Sequence, residues 1–392
     1  MKILYTAVDT PIPGRHGGSV HVLELCRALV RRGHEVHLVA PTRREYFGKT
    51  ATKRFLIDGN TQLDGVILHS LPKPFRFLEW TAVKTIRRLV LSLSPDVVVE
   101  RFYTFAGAGI WAAHTLKVPA VLEVNSPARS YPGSWRDRLD ILTLVRPVDR
   151  WRRQLLEWSD AIYTTSKDLL PPEIQAKVHV VVNGVDTQRF RPGSRKSSMG
   201  PLRCVYVSSF RAWHGVEDLI SAASICAARG VDLRIICVGH GPGWASAYRA
   251  TRRAGLEAMV KFLGEIAHSD VPEQLARADV GLAPFLPIGF SALKLGWFWS
   301  PIKIFEYMAA GLPVVTSDVE ELHELLPDAV ASFYTAGEPR ELADILEKLS
   351  FDRDKVRVMG EAARALAESR YTWDQQGISV EQLLEEVIKN RR

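Results

Sequence analysis

A chain of 392 residues, 46% hydrophobic and 24% charged, is ordinary globular material long enough for two hydrophobic cores, which excludes a disordered protein. No run of about eighteen apolar residues occurs and no leader-type apolar segment precedes the first strand pattern, so the sequence predicts a cytosolic protein without a membrane-spanning helix. The net charge of +7 favours anionic partners, while Cys26, Cys204, Cys226 and Cys237 lack any C-x-x-C spacing, so neither a metal site nor a disulfide framework is indicated.

Short apolar runs alternate with helical periodicities, the pattern of parallel sheets covered by helices. Strands are predicted over 3–6, 36–39, 66–68, 97–99, 120–124 and 161–164, with a helix over 20–32, ended by Gly33, linking the first two. A further strand over 178–182 runs into Asn183-Gly184, whose turn chemistry needs no function to explain it. Residues 193–201 are polar and rich in breakers, the best linker candidate. The strand pattern then restarts over 204–207, 233–238, 261–263, 280–283 and 314–316. The tail over 371–388 reads as an amphipathic helix with Ile378, Leu383, Leu384 and Val387 on its apolar face. The fold class is α/β, with two Rossmann-like doubly wound domains, and no short-period repeat argues for a solenoid.

In doubly wound sheets ligands bind outside the carboxyl ends of strands, so the loops there carry the chemistry. After the first strand, residues 13–19 form a glycine-rich loop in which Gly17 and Gly18 let backbone N–H groups approach a phosphate. Neither this loop nor residues 238–243 keep G-x-G-x-x-G with an acid about twenty positions on, which disfavours a nicotinamide oxidoreductase. Between Trp135 and Trp158 the chain carries Arg136, Arg138, Arg146, Arg150, Arg152 and Arg153 with Trp151. That mixture suits peripheral contact with an anionic membrane at its inner face; a solvated helix face with the Trp residues packed inward suits it too. No recognition motif for nucleic acid is present.

Residues 300–317 read as a helix start, a short helix and a buried strand. Ser300 fits the N-cap, Pro301 the first helical position, and Gly311 with Pro313 the stop. Free amides at Ile302 and Lys303, the helix dipole and the Lys303 ammonium suit a phosphate. Glu306, three residues on and on the same face, suits sugar hydroxyls, the competing reading being a surface Lys303–Glu306 ion pair worth roughly 0.2 to 0.5 kcal/mol.

The Ser-Pro-x-Lys-x-x-Glu-Tyr-Met-Ala-x-Gly-x-Pro-Val-Val block from Ser300 resembles the donor-site segment of GT-B glycosyltransferases of retaining family 4. The resemblance runs from Gly17 to Trp373 and implies two Rossmann-like domains with an interdomain cleft. It implies an acceptor domain over 1–192, joined by a crossing helix over 372–392, and a nucleotide-sugar domain over 201–371. It places Gly17 and Gly18 near the donor diphosphate, Gly241 in the Gly-x-Gly-Pro turn, and Gly264 and Ile266 in the turn that reads the nucleobase. At the family's paired Arg and Lys positions this chain has Ser209 and His214, with Arg211 beside them. Phe298 replaces the first carboxylate of the family's Glu-x7-Glu motif, Glu306 being the second. Glu100-Arg101 and Glu123-Val124-Asn125 resemble segments facing the cleft; there Asn125 would bind the sugar or acceptor and Glu123 would activate the acceptor hydroxyl, with Glu100-Arg101 a supporting ion pair, while a structural role suits all four equally well. The implied activity is retaining, metal-independent, hexosyltransferase-like transfer from a nucleotide-activated sugar to a hydroxyl of a glycan, glycolipid or small molecule, with no cofactor besides that donor. A non-catalytic relative that binds sugar nucleotides or a partner enzyme, and a sugar-nucleotide epimerase, remain as alternatives.

Overall fold

The computed structural model describes residues 1–14, 17–42, 61–71, 82–103, 106–125, 135–143, 146–193, 200–287 and 300–391. Two compact units emerge, one of Met1–Gly184, Lys294–Ser300 and Trp373–Arg392, the other of Val185–Leu293 and Pro301–Thr372. The change of unit falls at Gly184, ahead of the breaker-rich stretch, because the residues after it are tied into the second unit. Val185 N–H donates to Tyr371 O at 2.7 Å, Phe190 is buried, and the Arg364 guanidinium donates to the carbonyls of Thr187, Phe190 and Ala309.

The first unit contains strands β1 (Lys2–Thr6), β2 (Glu35–Pro41), β3 (Thr61–Leu63), β4 (Val66–Leu71), β5 (Val97–Phe102), β6 (Ala120–Val124), β7 (Ala161–Thr164) and β8 (Val178–Val180). Its helices are α1 (Gly17–Arg31), α2 (Val83–Leu93), α3 (Ala108–Leu116), α4 (Trp135–Thr143) and α5 (Pro147–Trp158). The strand order is β3-β4-β2-β1-β5-β6-β7-β8, parallel except for β3 against β4. Because β2 and β5 leave β1 on opposite sides, the crevice of the sheet lies beyond the carboxyl ends of β1 and β5. On α1, Val22, Leu25, Cys26 and Leu29 recur at helical spacing and sit in one core with Val380, Leu383, Leu384 and Val387 of the C-terminal helix (Trp373–Arg391). Each such buried side chain contributes roughly 1.5 to 3 kcal/mol. Val380 takes the core place that the sequence gives to Ile378, which is only half-buried.

The second unit contains β9 (Leu202–Val207), β10 (Leu233–Val238), β11 (Val260–Gly264), β12 (Val280–Ala283), β13 (Val314–Ser317) and β14 (Ala331–Tyr334). Between and after them run α6 (Val216–Ala228), α7 (Trp244–Arg253), α8 (Val271–Ala276), α9 (Ile302–Ala309), α10 (Glu320–Leu325), α11 (Pro339–Phe351) and α12 (Arg353–Arg370), so the C-terminal helix is α13. The sheet is wholly parallel in the order β11-β10-β9-β12-β13-β14, and its crevice lies beyond β9 and β12. Leu219, Ala223 and Cys226 of α6 and Leu342 and Leu346 of α11 fill the core on one face. The edge strands β3 and β14 have no counterpart among the predicted strands, because Thr-Gln-Leu and Ala-Ser-Phe-Tyr are too short to show a period.

Candidate functional site

The site in the second unit is built on α9. The Tyr307 hydroxyl accepts from Val207 N–H at 2.8 Å and donates to Leu282 O at 3.3 Å, which pins the helix to the carboxyl ends of β9 and β12. Pro301, in extended conformation, stands at the N-cap, and Ser300 is not the cap the sequence suggests. Ser300 Oγ accepts from Asn183 N–H at 3.0 Å and its carbonyl from Asn183 Nδ2 at 2.7 Å, so that hydroxyl is already engaged.

In the first turn of α9, Lys303 Nζ is sealed from water and has no hydrogen-bond partner among the described residues. It lies 4.9 Å from the Phe285 ring centroid and 5.6 Å from that of Tyr206, so two ring faces supply its nearest attraction. Burial pushes its pKa down to about 7, with Glu306 pulling the other way. Glu306 does not close an ion pair with Lys303, which corrects the surface-pair reading. Its Oε1 sits 2.8 Å from Nε2 of His268, a partner the sequence did not reveal.

His214 lies beside this ammonium. Burial, then the charges of Lys303 and Arg211, bring its pKa down to about 2, so the ring is neutral. Ser208 Oγ accepts from Phe210 N–H at 3.0 Å and lies 2.7 Å from His214 Nδ1. The Ser208 hydroxyl can give its hydrogen to Nδ1, the arrangement in which the imidazole proton sits on Nε2 as a donor. Arg211 is exposed, its guanidinium 5.4 Å from the Trp213 ring centroid. Gly241 packs where a Cβ would stand 1.8 Å from Ser209 O, so only glycine fits that turn. Gly264 ends β11 and its carbonyl accepts from Gly239 N–H at 2.7 Å; Ile266, two residues on, is half-buried. Phe298 lies outside the described residues.

The first unit holds a different arrangement. Alternation along β1, β5, β6 and β7 puts Tyr5, Arg101, Glu123 and Tyr163 on the face covered by α1, where Arg101 and Glu123 are register partners. The hydroxyls of Tyr5 and Tyr163 donate to Glu123 Oε2, the latter at 2.6 Å, while Arg101 Nη1 and Asn125 Nδ2 donate to Oε1. His21 Nε2 lies 2.8 Å from the same oxygen. Burial alone would push this carboxyl up, but His21, Arg101 and the hydrogen bonds hold it well below the usual carboxylate range. A carboxylate so saturated and so acidic takes no proton from a hydroxyl at neutral pH, and the role of activating base falls away from Glu123. The expected Glu100–Arg101 pair is also absent. Glu100 points to the other face and accepts from Gly107 N–H at 2.8 Å and Ile110 N–H at 2.7 Å at the start of α3, while burial pushes it up to about 7.

On α5, Trp151 Nε1 donates to Ala106 O at 3.0 Å and its ring packs edge-on against Trp111 and Trp158; Arg152 is buried over the Phe102 ring. Trp151 and Trp158 are half-buried in these contacts, while Trp111 is exposed. The exposed apolar residues of this region are Leu139, Ile141 and Leu142 on α4, the last 80% exposed. Among the described residues no group of three metal-ligating side chains converges, and no helix is long and apolar enough to cross a membrane.

Residues 15–189 match the family "Glycosyltransferase Family 4" and residues 201–352 match "Glycosyl transferases group 1". The chain is of the GT-B, group 1 and family 4 glycosyltransferase type. The glycogen synthase of Mycobacterium tuberculosis is 25% identical to this glycosyltransferase over 95% of its chain and 91% of its own. A putative colanic acid biosynthesis glycosyltransferase, WcaL, of Salmonella typhimurium is 27% identical over 84% of each chain. Among solved structures, sucrose-phosphate synthase of Thermosynechococcus elongatus has the same fold, with a TM-score of 0.74 over 99% of both chains at 16% identity. So does Anabaena HepE in complex with UDP, with a TM-score of 0.70 over 98% of this chain and 100% of that one at 20% identity.

Proposed function

We propose that this glycosyltransferase moves a hexosyl group, with retention of configuration, from a nucleoside-diphosphate sugar to an acceptor hydroxyl, without a metal or other cofactor. The single observation that carries the reading is Lys303, a sealed ammonium with no anionic partner among the described residues at the start of α9. A diphosphate laid on the Ile302 and Lys303 amides would supply the missing negative charge, with His214 Nε2–H donating to a second oxygen. Glu306, oriented by His268, would accept from the ribose hydroxyls, and the turns at Gly241, Gly264 and Ile266 would border the nucleoside. As the glycosidic bond lengthens, negative charge grows on the leaving diphosphate, and the fixed ammonium and amides stabilise it more than the ground state. The sugar would become oxocarbenium-like.

Anabaena HepE in complex with UDP-glucose, and a relative named as a GDP-mannose-dependent phosphatidylinositol monomannoside mannosyltransferase, support a nucleoside-diphosphate donor. Those names, with colanic acid biosynthesis, also support a glycan or glycolipid acceptor. It would bind on the first unit with Asn125 among its contacts. The reading includes a cytosolic protein that touches an anionic membrane through Leu139, Ile141 and Leu142 beside Arg138. Co-sedimentation with phosphatidylglycerol vesicles that is unchanged by Leu142→Asp would contradict that contact. The donor site is tested by thermal shift with UDP, GDP, ADP and dTDP and their sugars, on the parent and on Glu306→Ala. One nucleotide series stabilises the parent and not the variant if the site is right; no shift with any donor hands the lead to the non-catalytic reading.

A further inference from the structure

We propose that Asp9 is the group that accepts the proton of the acceptor hydroxyl, a role that rests on the transferase reading. Glu123 is too saturated to fill it. Among the described residues the charged groups at the carboxyl ends of β1 and β5 are Asp9, Glu100 and Arg101. Glu100 is sealed and engaged by the amides of Gly107 and Ile110, and Arg101 is buried against Glu123. Asp9 is half-buried, which makes it the member of the three most open to a ligand in the crevice.

Backbone geometry delivers the side chain to that place. Ala7 N–H donates to Val39 O and Ile12 N–H to Pro41 O, both at 2.8 Å, so residues 7–12 run beside the end of β2. Thr10 N–H donates to Ala7 O at 3.1 Å and closes a turn with Val8 and Asp9 at its tip. From there the carboxyl acts on Arg101 and Glu100 of β5, across the crevice from β2. Burial raises its pKa; Arg101, the hydrogen bond from Thr10 Oγ1 to Oδ1 at 3.0 Å and its own N–H pull it down without restoring the ordinary value, and Glu123 adds to the rise. Apart from its own N–H, Thr10 Oγ1 is its only hydrogen-bond donor among the described residues, so a carboxylate that can accept about four keeps room for an incoming hydroxyl. In the transfer, the bond from the anomeric carbon to the diphosphate breaks, its electron pair leaving on the diphosphate, and the acceptor oxygen bonds to that carbon. The hydroxyl proton passes to the ionised Asp9 carboxylate and then to solvent at its open side. The raised pKa makes Asp9 a stronger base than an ordinary carboxylate.

The test follows nucleotide release from the UDP, GDP, ADP and dTDP sugars by the full chain, with n-octyl glucoside as the hydroxyl acceptor and with water alone. Asp9→Asn keeps the shape and an acceptor for Thr10, and should lower kcat roughly hundred- to ten-thousandfold while nucleotide affinity by calorimetry is unchanged. In the parent, kcat should fall with acidity as Asp9 takes up a proton, at a pH above the ordinary carboxylate range. Asp9→Asn should lose that acid limb and Asp9→Glu should keep it. Added formate, which lends a carboxylate, should restore part of the Asp9→Asn rate. Folded Asp9→Asn with undiminished kcat, or with lowered kcat, an unchanged acid limb and no formate rescue, overturns the proposal. Should Asp9→Asn not fold, the parent decides: an acid limb that does not move with temperature is a carboxyl's, and one that moves as an imidazole's does overturns the proposal. A parent that turns over none of the donors brings down the transferase reading and this role with it. Turnover by the parent with a failed Asp9 test removes this role alone.

Discussion

Glu123 in the first unit and Lys303 in the second are both charged groups withdrawn from water, yet their surroundings are opposites. Around Glu123 four donors from β1, β5, β7 and the end of β6, with the His21 imidazole of α1 at 2.8 Å, saturate the carboxylate. Around Lys303 there are two aromatic faces, a neutral imidazole and no acceptor among the described residues. A saturated buried charge holds a structure in place, because every change in it strands its partners. An unsaturated one costs the fold free energy that a ligand of opposite sign can return, which is the role proposed for Lys303.

The largest expected effect breaks the first half of that contrast. Glu123→Gln should cost about 3 to 5 kcal/mol in urea unfolding, since it leaves the buried Arg101 without its counter-ion. A loss below about 1 kcal/mol would mean that the cluster is not structural. Lys303→Met sharpens the second half. It should leave the ligand-free protein at least as stable as the parent, by up to about 2 kcal/mol. Nucleoside-diphosphate affinity should fall roughly ten- to hundredfold, which calorimetry reads directly.

The two proteins should also differ in pH dependence. Lys303 titrates near 7 when folded against an ordinary value of 10.5, so below about 7 both states are protonated and the burial penalty is complete. Between there and 10.5 the unfolded chain holds the extra proton, and the parent should gain stability as pH rises. Denaturant midpoints across that window should show the rise in the parent and its absence in Lys303→Met. The smallest effect belongs to His268→Ala, which removes the group orienting Glu306. It should lower nucleotide affinity by roughly two- to tenfold and leave the stability of the ligand-free protein nearly unchanged.

Much of this contrast was legible in the sequence, and the part that was not has a common cause. The strand runs, the helix starting near Pro301 and its stop at Gly311 follow from local periodicity and turn chemistry. So does the placement of Lys303 and Glu306 on one helix face. Their partners are set by strand order and loop position, which a single sequence does not encode locally. His268 reaches Glu306 from 38 residues away, and Phe285 lies under Lys303 because β12 neighbours β9. Arg101 and Glu123 alternate correctly on their own strands, but only the pairing of β5 with β6 makes them register partners, so Glu123 read as a reactive carboxylate and not as a saturated one. Ser300 misled for the same reason, its hydroxyl being taken by Asn183.

The central claim, that Lys303 awaits an anion, is tested most directly by counting protons. Binding of a nucleoside diphosphate is measured by calorimetry at pH 8 in two buffers of different ionisation enthalpy. With Lys303 poised near 7 in the empty site and fully charged against a diphosphate, the parent should take up close to one proton on binding, and Lys303→Met close to none. Equal heats in the two buffers for the parent, with binding intact, would contradict the account.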